Sequence, residues 1–320
     1  VVPGSFEGRY LASVIAMRRG DFAAAAELLE PLLAEDDQPS LRFNLAWSRA
    51  MLGDKETALA LLDERTVAEI AAAAMLRTQL LHEAARLEEA LAFGRAALAR
   101  HPDDAGLNAA MATLALDLED PGLARACALK AGDHPEGLAA AGMLDLADGA
   151  IEAAHARFER SLAVRTHNPR AWIGRGLAGL MRQDNAQAAM DLDRGAQQFG
   201  RHLGSWIAAG WAHFIAGDAA AAQERFERAL GIDPTFAETH GSLAVIDAVS
   251  GREQDARRKA TTALRLDRDC FSAALAQALL SSGDPTRARE IIDRAMTTPL
   301  NEQGMTIASY MAGLSRPTVH

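Results

Sequence analysis

Aromatic residues are scarce in this 320-residue chain: 5% of positions are Phe, Trp or Tyr, although 49% are hydrophobic. The apolar content is therefore mostly Ala and Leu, the residues placed in helices at least cost. Cysteine is nearly absent, and Cys127 and Cys270 have neither the number nor the spacing of a disulfide framework or a zinc site. No apolar run approaches the roughly 18 to 20 residues needed to span a bilayer. Basic charge is in deficit, with 33 Lys and Arg against 43 Asp and Glu and a net charge of -10, which argues against a nucleic-acid footprint. Arg257-Arg258-Lys259 is the one tight basic cluster, and it reads as a solvated helix face. The chain begins at Val1 rather than Met, so a processed leader, an anchor or a flanking domain is expected to have been removed, and cytoplasm and periplasm both stay open.

Catalytic signatures are missing too. No phosphate-binding G-x-x-x-x-G-K-[ST] and no G-x-S-x-G occurs, and His82-Glu83 is followed by Arg86 where a metalloprotease helix needs a second His. His213 and His240 are the one pair of His residues whose spacing brings them toward one another, and they read as packed or surface side chains rather than a metal site. Gly174, Gly176 and Gly179 spell G-x-G-x-x-G, with Asp191 or Asp193 near the place where an acid would meet a ribose. That fingerprint is diagnostic only between a strand and a helix, and no alternating strand pattern precedes it. No catalytic residue, cofactor or metal is expected.

What the chain does have is repetition. Segments such as GDFAAAAELL from Gly20, GDKETALALL from Gly53 and GDAAAAQERF from Gly217 are variants of one another. One small residue recurs at Ala25, Ala58, Ala90, Ala124, Ala154, Ala188, Ala222, Ala256 and Ala288, which sets a unit of roughly 34 residues in nine copies. Gly ends one helix in the left-handed conformation and the following Asp caps the next, while Asn168-Pro169 and Asp233-Pro234 mark the other junction. The unit is thus helix, tight turn, helix, turn, and the class is all-α. Gly142, Gly176 and Gly210 then read as places where leading helices meet their neighbours closely.

These repeats resemble the tetratricopeptide repeat family. The best copy runs from His202 to Pro234, where Trp206, Ala209, Gly210, Gly217, Ala222, Phe226, Ala229, Leu230 and Pro234 match the family's large, small and proline sites. Trp172 with Gly176, Leu243 with Ala244, and Ala90 with Ala97, Leu98 and Pro102 repeat parts of the pattern, and the copies around 63–85 and 117–137 are degenerate. The resemblance implies a right-handed superhelical solenoid of antiparallel helix pairs over residues 1–300, with 301–320 as a capping helix and tail.

In such a solenoid the leading helices are expected to line a concave wall. Helical spacing places Ile207, Trp211, Phe214 and Ile215 opposite the packing residues Trp206, Ala209, Gly210 and His213. The same register along the chain gives Tyr10, Val14 and Met17; Phe43, Trp47 and Met51; Met75 and Gln79; Met143 and Leu146; Ile173, Leu177, Leu180 and Met181; and Val245 and Val249. The wall is apolar and carries Met, with Asn44 and Arg170 as its few clamp-like polar residues, so a carboxylate clamp for acidic tails is disfavoured. Amphipathic helices or extended segments with large apolar anchors suit it better, and Trp47, Trp211 and Phe214 are the preferred anchors. The expected function is a non-catalytic scaffold or adaptor holding a partner protein segment, in a setting such as bacterial secretion, pilus, envelope or polysaccharide-export assembly. Two alternatives are a substrate-recruiting portion of a larger enzyme such as a glycosyltransferase, and a self-associating homo-oligomer whose groove takes a neighbour's terminus or its own.

Overall fold

A computed structural model describes residues 4–282 together with Glu290. Every regular element among the described residues is a helix. Helices alternate between leading and trailing members of a pair, and the chain divides at residue 141 into two compact units.

The first unit holds α1 (Phe6–Arg18), α2 (Phe22–Glu35), α3 (Pro39–Met51), α4 (Lys55–Leu61), α5 (Glu64–Glu69), α6 (Ala71–Glu83), α7 (Leu87–Arg100), α8 (Ala105–Asp117) and α9 (Pro121–Ala131). The division falls inside α10 (Pro135–Ala147). The second unit continues with α11 (Ile151–Val164), α12 (Pro169–Met181), α13 (Asn185–Phe199), α14 (Leu203–Ile215), α15 (Ala219–Ile232), α16 (Ala237–Val249), α17 (Glu253–Leu266) and α18 (Phe271–Ser282). Ala288 and the expected cap over 301–320 lie outside the described residues.

The small-residue series marks the core. Ala25, Ala58, Ala90, Ala124, Ala154, Ala188, Ala222 and Ala256 are each at most 1% exposed, one per trailing helix. The leading helices carry a matching series, with Ser13, Ala46, Thr78, Ala112 and Ala244 fully buried and Gly142, Gly176 and Gly210 buried in the same register. A Cβ on Gly142 would come within 2.7 Å of the Phe158 ring, and one on Gly176 within 2.6 Å of Leu192 Cγ; on Gly210 it would run into the Phe226 ring. These glycines are notches that admit a large side chain from the trailing helix, as interior packing density demands.

Turns repeat with the same fidelity. In all eight described pairs the residue three past the leading helix donates its N–H five residues back, from Asp21 N to Ala16 O at 2.9 Å through to Arg252 N to Asp247 O at 2.9 Å. This is the Schellman closure, whose preceding residue must be left-handed. Gly20, Gly53, Gly149, Gly217 and Gly251 supply it, but Ala85, Glu119 and Gln183 hold it with φ of 56°, 57° and 63°. Asp21, Asp54, Asp120 and Asp218 then cap the trailing helix by accepting from the N–H three residues on.

Both degenerate copies have a structural cause. Over 63–85 the trailing helix breaks after Leu61, and Asp63 caps a separate short helix, α5, by accepting from Thr66 N at 2.8 Å. Over 117–137, α9 closes after 11 residues at Gly132, which has φ of 57°, and this shortens the repeat.

Candidate functional site

The candidate site is the face formed by the leading helices, and the two units treat it differently. In the first unit α1, α3 and α6 set Tyr10, Val14, Met17, Phe43, Trp47, Met75 and Gln79 half-buried, with Met51 exposed at 48%. Spacings of three and four residues put each set on one side of its helix. Phe43 meets Trp47 edge to face, centroids 6.2 Å apart and planes at 61°, a favoured aromatic geometry. Tyr10 and Met17 rest on the cluster of Ala26, Leu29, Leu32, Leu41 and Leu45, while Phe43, Trp47 and Met75 rest on the cluster around Leu62, Leu76 and Leu80. Asn44 Nδ2 donates to Tyr10 Oη at 3.4 Å, so this amide braces an aromatic side chain of the wall.

In the second unit the wall is largely closed. Ile173 and Leu177 are 2% exposed, Ile207 and Val245 0%, and Trp211 3%; all five belong to one core cluster. Trp211 is held edge-on by Phe226 and by Phe214, each at a centroid distance of 5.6 Å. In this arrangement those five side chains have almost no surface to give a partner. Met143, Leu146, Leu180, Phe214 and Ile215 remain half-buried, and Met181 and Val249 are exposed at 38% and 40%. The sequence register puts these residues on the inward stripe without revealing that trailing helices cover its middle, as Phe226 of α15 does at Trp211 and the close approach of Gly195 of α13 does at Ile173.

Polar groups singled out by the sequence are occupied within the repeats. Gly174, Gly176 and Gly179 lie inside α12, where a Cβ would strike Phe158, Leu192 or Ala188. Arg175 Nε and Nη2 donate to Asp191 Oδ2 and Oδ1 at 2.6 and 2.7 Å, and that hydrogen bonding holds the guanidinium pKa above its ordinary value. Asp193 accepts from Arg225 Nη2 at 2.7 Å and lies 2.9 Å from His213 Nε2. Burial pushes its carboxyl pKa up, but hydrogen bonds from Arg225 and His213 outweigh burial and hold it below the usual carboxylate range. The helix therefore has no strand before it, and both candidate ribose acids are consumed by ion pairs. Arg258 pairs with Asp255 at 2.8 Å on a solvated helix face, but Lys259 turns from that face to the buried Asp247 of α16 at 2.6 Å. Among the described residues no three His, Cys, Asp or Glu side chains stand close enough to hold a metal ion, and no helix is long and apolar enough to cross a membrane.

One recurrent device escaped the sequence reading. Near the start of four leading helices a side-chain nitrogen reaches the carbonyl six residues back: Asn108 to Pro102 at 3.0 Å, Trp172 to Thr166 at 2.8 Å, Trp206 to Gly200 at 2.7 Å and His240 to Pro234 at 2.7 Å. Asn, Trp and His share no hydropathy or size, so only their common N–H group and fixed position in the repeat could have signalled it. Trp172 is further met by the Arg175 and Arg194 guanidinium groups, 4.7 and 4.8 Å from its ring centroid.

Comparison with known proteins places this architecture. Tetratricopeptide repeat models match residues 10–68, 139–202 and 203–236. Between these matches, residues 69–138 contain α6 to α9, whose turns and buried alanines follow the same plan. No curated protein matches the chain in sequence. Among solved structures, the APC/C hetero-tetramer Cut9–Hcn1 is similar with a TM-score of 0.67 at 15% identity, over 88% of this chain and 57% of that one. This chain therefore spans little more than half the length of that relative. IFIT1, solved as a monomeric mutant with Gppp-AAAA, gives 0.58 at 12% identity over 88% and 78% of the two chains, and PilF of Pseudomonas aeruginosa gives 0.52 at 17% over 65% and 96%. At these identities the likeness is one of fold. Paired helices closed by one repeated turn, with matching repeat models in both units, identify the chain as a member of the tetratricopeptide repeat family, whose folds generally act as non-catalytic mediators of protein–protein interaction.

Proposed function

We propose that the chain is a non-catalytic scaffold or adaptor that holds an apolar or amphipathic segment of a partner protein on the leading-helix face of its first unit. The observation that carries this reading is the retained accessibility of Tyr10, Phe43 and Trp47, whose second-unit counterparts Ile173, Ile207, Leu177, Trp211 and Val245 are closed, with Met17 and Met51 open beside them as their own counterparts are. Large aromatic and thioether groups half-seated on a core gain much by burying their remaining surface and adapt to varied apolar anchors. Met181, Phe214 and Val249 offer a smaller apolar edge in the second unit, and Met143 a further half-buried contact. Action in bacterial secretion or in envelope, pilus or polysaccharide-export assembly belongs to the same proposal and draws only on the family resemblance.

Photo-cross-linking in native cells tests the site. A photoreactive residue at position 47 or 51 is expected to label one protein through a segment rich in large apolar side chains, and one at exposed Glu27 on α2 is not. With that segment as a synthetic peptide, Phe43→Ala combined with Trp47→Ala is expected to weaken binding about 30-fold or more, the range of two interface hot spots. Equal labelling from position 27, or unchanged peptide affinity, would remove this face from the account.

A further inference from the structure

The helix α1 carries a second surface that the proposed partner face does not use. Glu7, Leu11, Ile15 and Arg18 are all exposed, Leu11 at 49% and Ile15 at 42%. At 100° per residue these four fall within one stripe along the helix. In later leading helices the register of Leu11 is buried, as at Leu76, Ala110 and Ala208; so is that of Ile15, as at Leu80, Leu114 and Ile246. The face is thus of the kind this fold covers, yet it carries two large aliphatic side chains in water.

Its charges say what covers it. An acid stands at the N-terminal end of the stripe and a base at the other, with the two aliphatic residues between. When two such stripes meet antiparallel, Glu7 of each copy faces Arg18 of the other and Leu11 faces Ile15, so one patch satisfies itself under a two-fold axis. That self-complementarity is the requirement of an isologous interface. A parallel meeting would oppose like charges. The cation already fixed on this helix, Arg9, is turned away, donating from both terminal nitrogens to Glu35 of α2 at 2.8 and 2.6 Å, and so leaves the stripe free.

We propose that two copies of the chain associate antiparallel through α1, with Leu11 and Ile15 at the centre and reciprocal Glu7–Arg18 pairs at the rim. One helix pair buries less than the roughly 1,200 Å² at which standard interfaces begin, so the dimer belongs to the weak, reversible class. Rim charges in water are screened by salt, so added salt weakens it further.

Sedimentation of the intact chain across a concentration series from low to high micromolar tests this. The expected result is a monomer–dimer equilibrium that Glu7→Arg or Arg18→Glu alone each weakens at least several-fold, and that the double reversal Glu7→Arg with Arg18→Glu restores. Leu11→Ser with Ile15→Ser is expected to leave only monomer; because both residues are exposed, the helical circular dichroism and melting temperature should stay unchanged. A monomer at every concentration overturns the proposal, as does a dimer that survives the serine pair or that the double reversal fails to rescue. Because Trp47 and Phe43 lie on another face, loss of the dimer leaves the peptide-binding reading standing, and the reverse also holds.

Discussion

The two units fill the same buried register with different side chains, and they differ as well in how far the stripe beside it is covered. In the first unit the leading helices bring Ser13, Ala46, Thr78 and Ala112 to the buried register; in the second they bring Gly142, Gly176, Gly210 and Ala244. Glycine notches accept Phe158, Leu192 and Phe226 from the trailing helices, and the wall beside them, from Ile173 to Val245, closes into the core. Where the register holds Ser, Ala or Thr, the large aromatic groups Phe43 and Trp47 stand on the inward stripe instead, half in solvent. Aromatic residues are few in this chain, and where they sit separates a packing device from a candidate binding surface.

The strongest way to break this comparison is to remove an aromatic group from each unit. Phe226 is 0% exposed, so Phe226→Ala is expected to cost about 3–5 kcal/mol, and Trp211→Ala a comparable amount, read as lost stability in urea unfolding. Trp47→Ala should lose binding and little stability. Were Trp211→Ala to leave the melt unchanged and abolish partner binding, the assignment of open and closed walls would be inverted. Gly210→Ala is the complementary insertion: its methyl collides with the Phe226 ring and should destabilise by about 1–3 kcal/mol. Ala46→Gly, in the equivalent register of the first unit, removes a methyl and some helix propensity, for about 1 kcal/mol. Repeat proteins need not unfold in one step, so amide exchange in the two units should accompany each melt.

Next in size is the acid-side behaviour of Asp193. Its folded pKa lies below the ordinary value of 3.8 because Arg225 and His213 donate to it against the effect of burial. A depressed carboxyl pKa gives stability that is present above the unfolded pKa and is lost as pH falls through the folded value. Asp193→Asn is therefore expected to destabilise by about 1.5–3 kcal/mol near neutrality, the range for hydrogen bonds to charged groups. The gap from the parent should narrow as pH falls below about 4, where the unfolded chain's carboxyl takes up its proton, and close as pH passes through the lower folded value. A gap independent of pH would mean that the amide fails for reasons of shape and not charge.

Much of this fold was legible because its signals are local. The alanine series predicted eight of the most buried positions in the described residues, and the Gly-Asp pairs predicted the turns, since capping and left-handed backbone are settled within a few residues. The glycine fingerprint in α12 was legible as packing for the same reason: no strand pattern came before it. What was not legible depends on distance between helices. Ile207, Trp211 and Tyr10 share the inward stripe by spacing, but only the packing of helices distant in sequence tells that the first two are covered and the third is not. The break at Asp63 was hidden because Leu61-Leu62 continues the apolar pattern through it. The side-chain latches of Asn108, Trp172, Trp206 and His240 were hidden because unlike residues share one function.

The smallest effect sharpens the comparison at the turns. Ala85 and Glu119 in the first unit and Gln183 in the second occupy left-handed positions that five glycines hold elsewhere. A side chain there costs roughly 1–2 kcal/mol in backbone strain, whereas glycine gives back part of that through the freedom of its unfolded chain. Ala85→Gly and Glu119→Gly are each expected to stabilise by about 0.5–1 kcal/mol, and Gln183→Gly by the same amount. Gly217→Ala should destabilise to a similar degree, since open space around it leaves backbone conformation as the sole penalty. Two such relieved turns lie in the first unit and one in the second, so amide protection in the first unit should rise more when all three are replaced together. Equal destabilisation by glycine at all three sites would show that Ala85, Glu119 and Gln183 carry contacts worth more than the strain they hold.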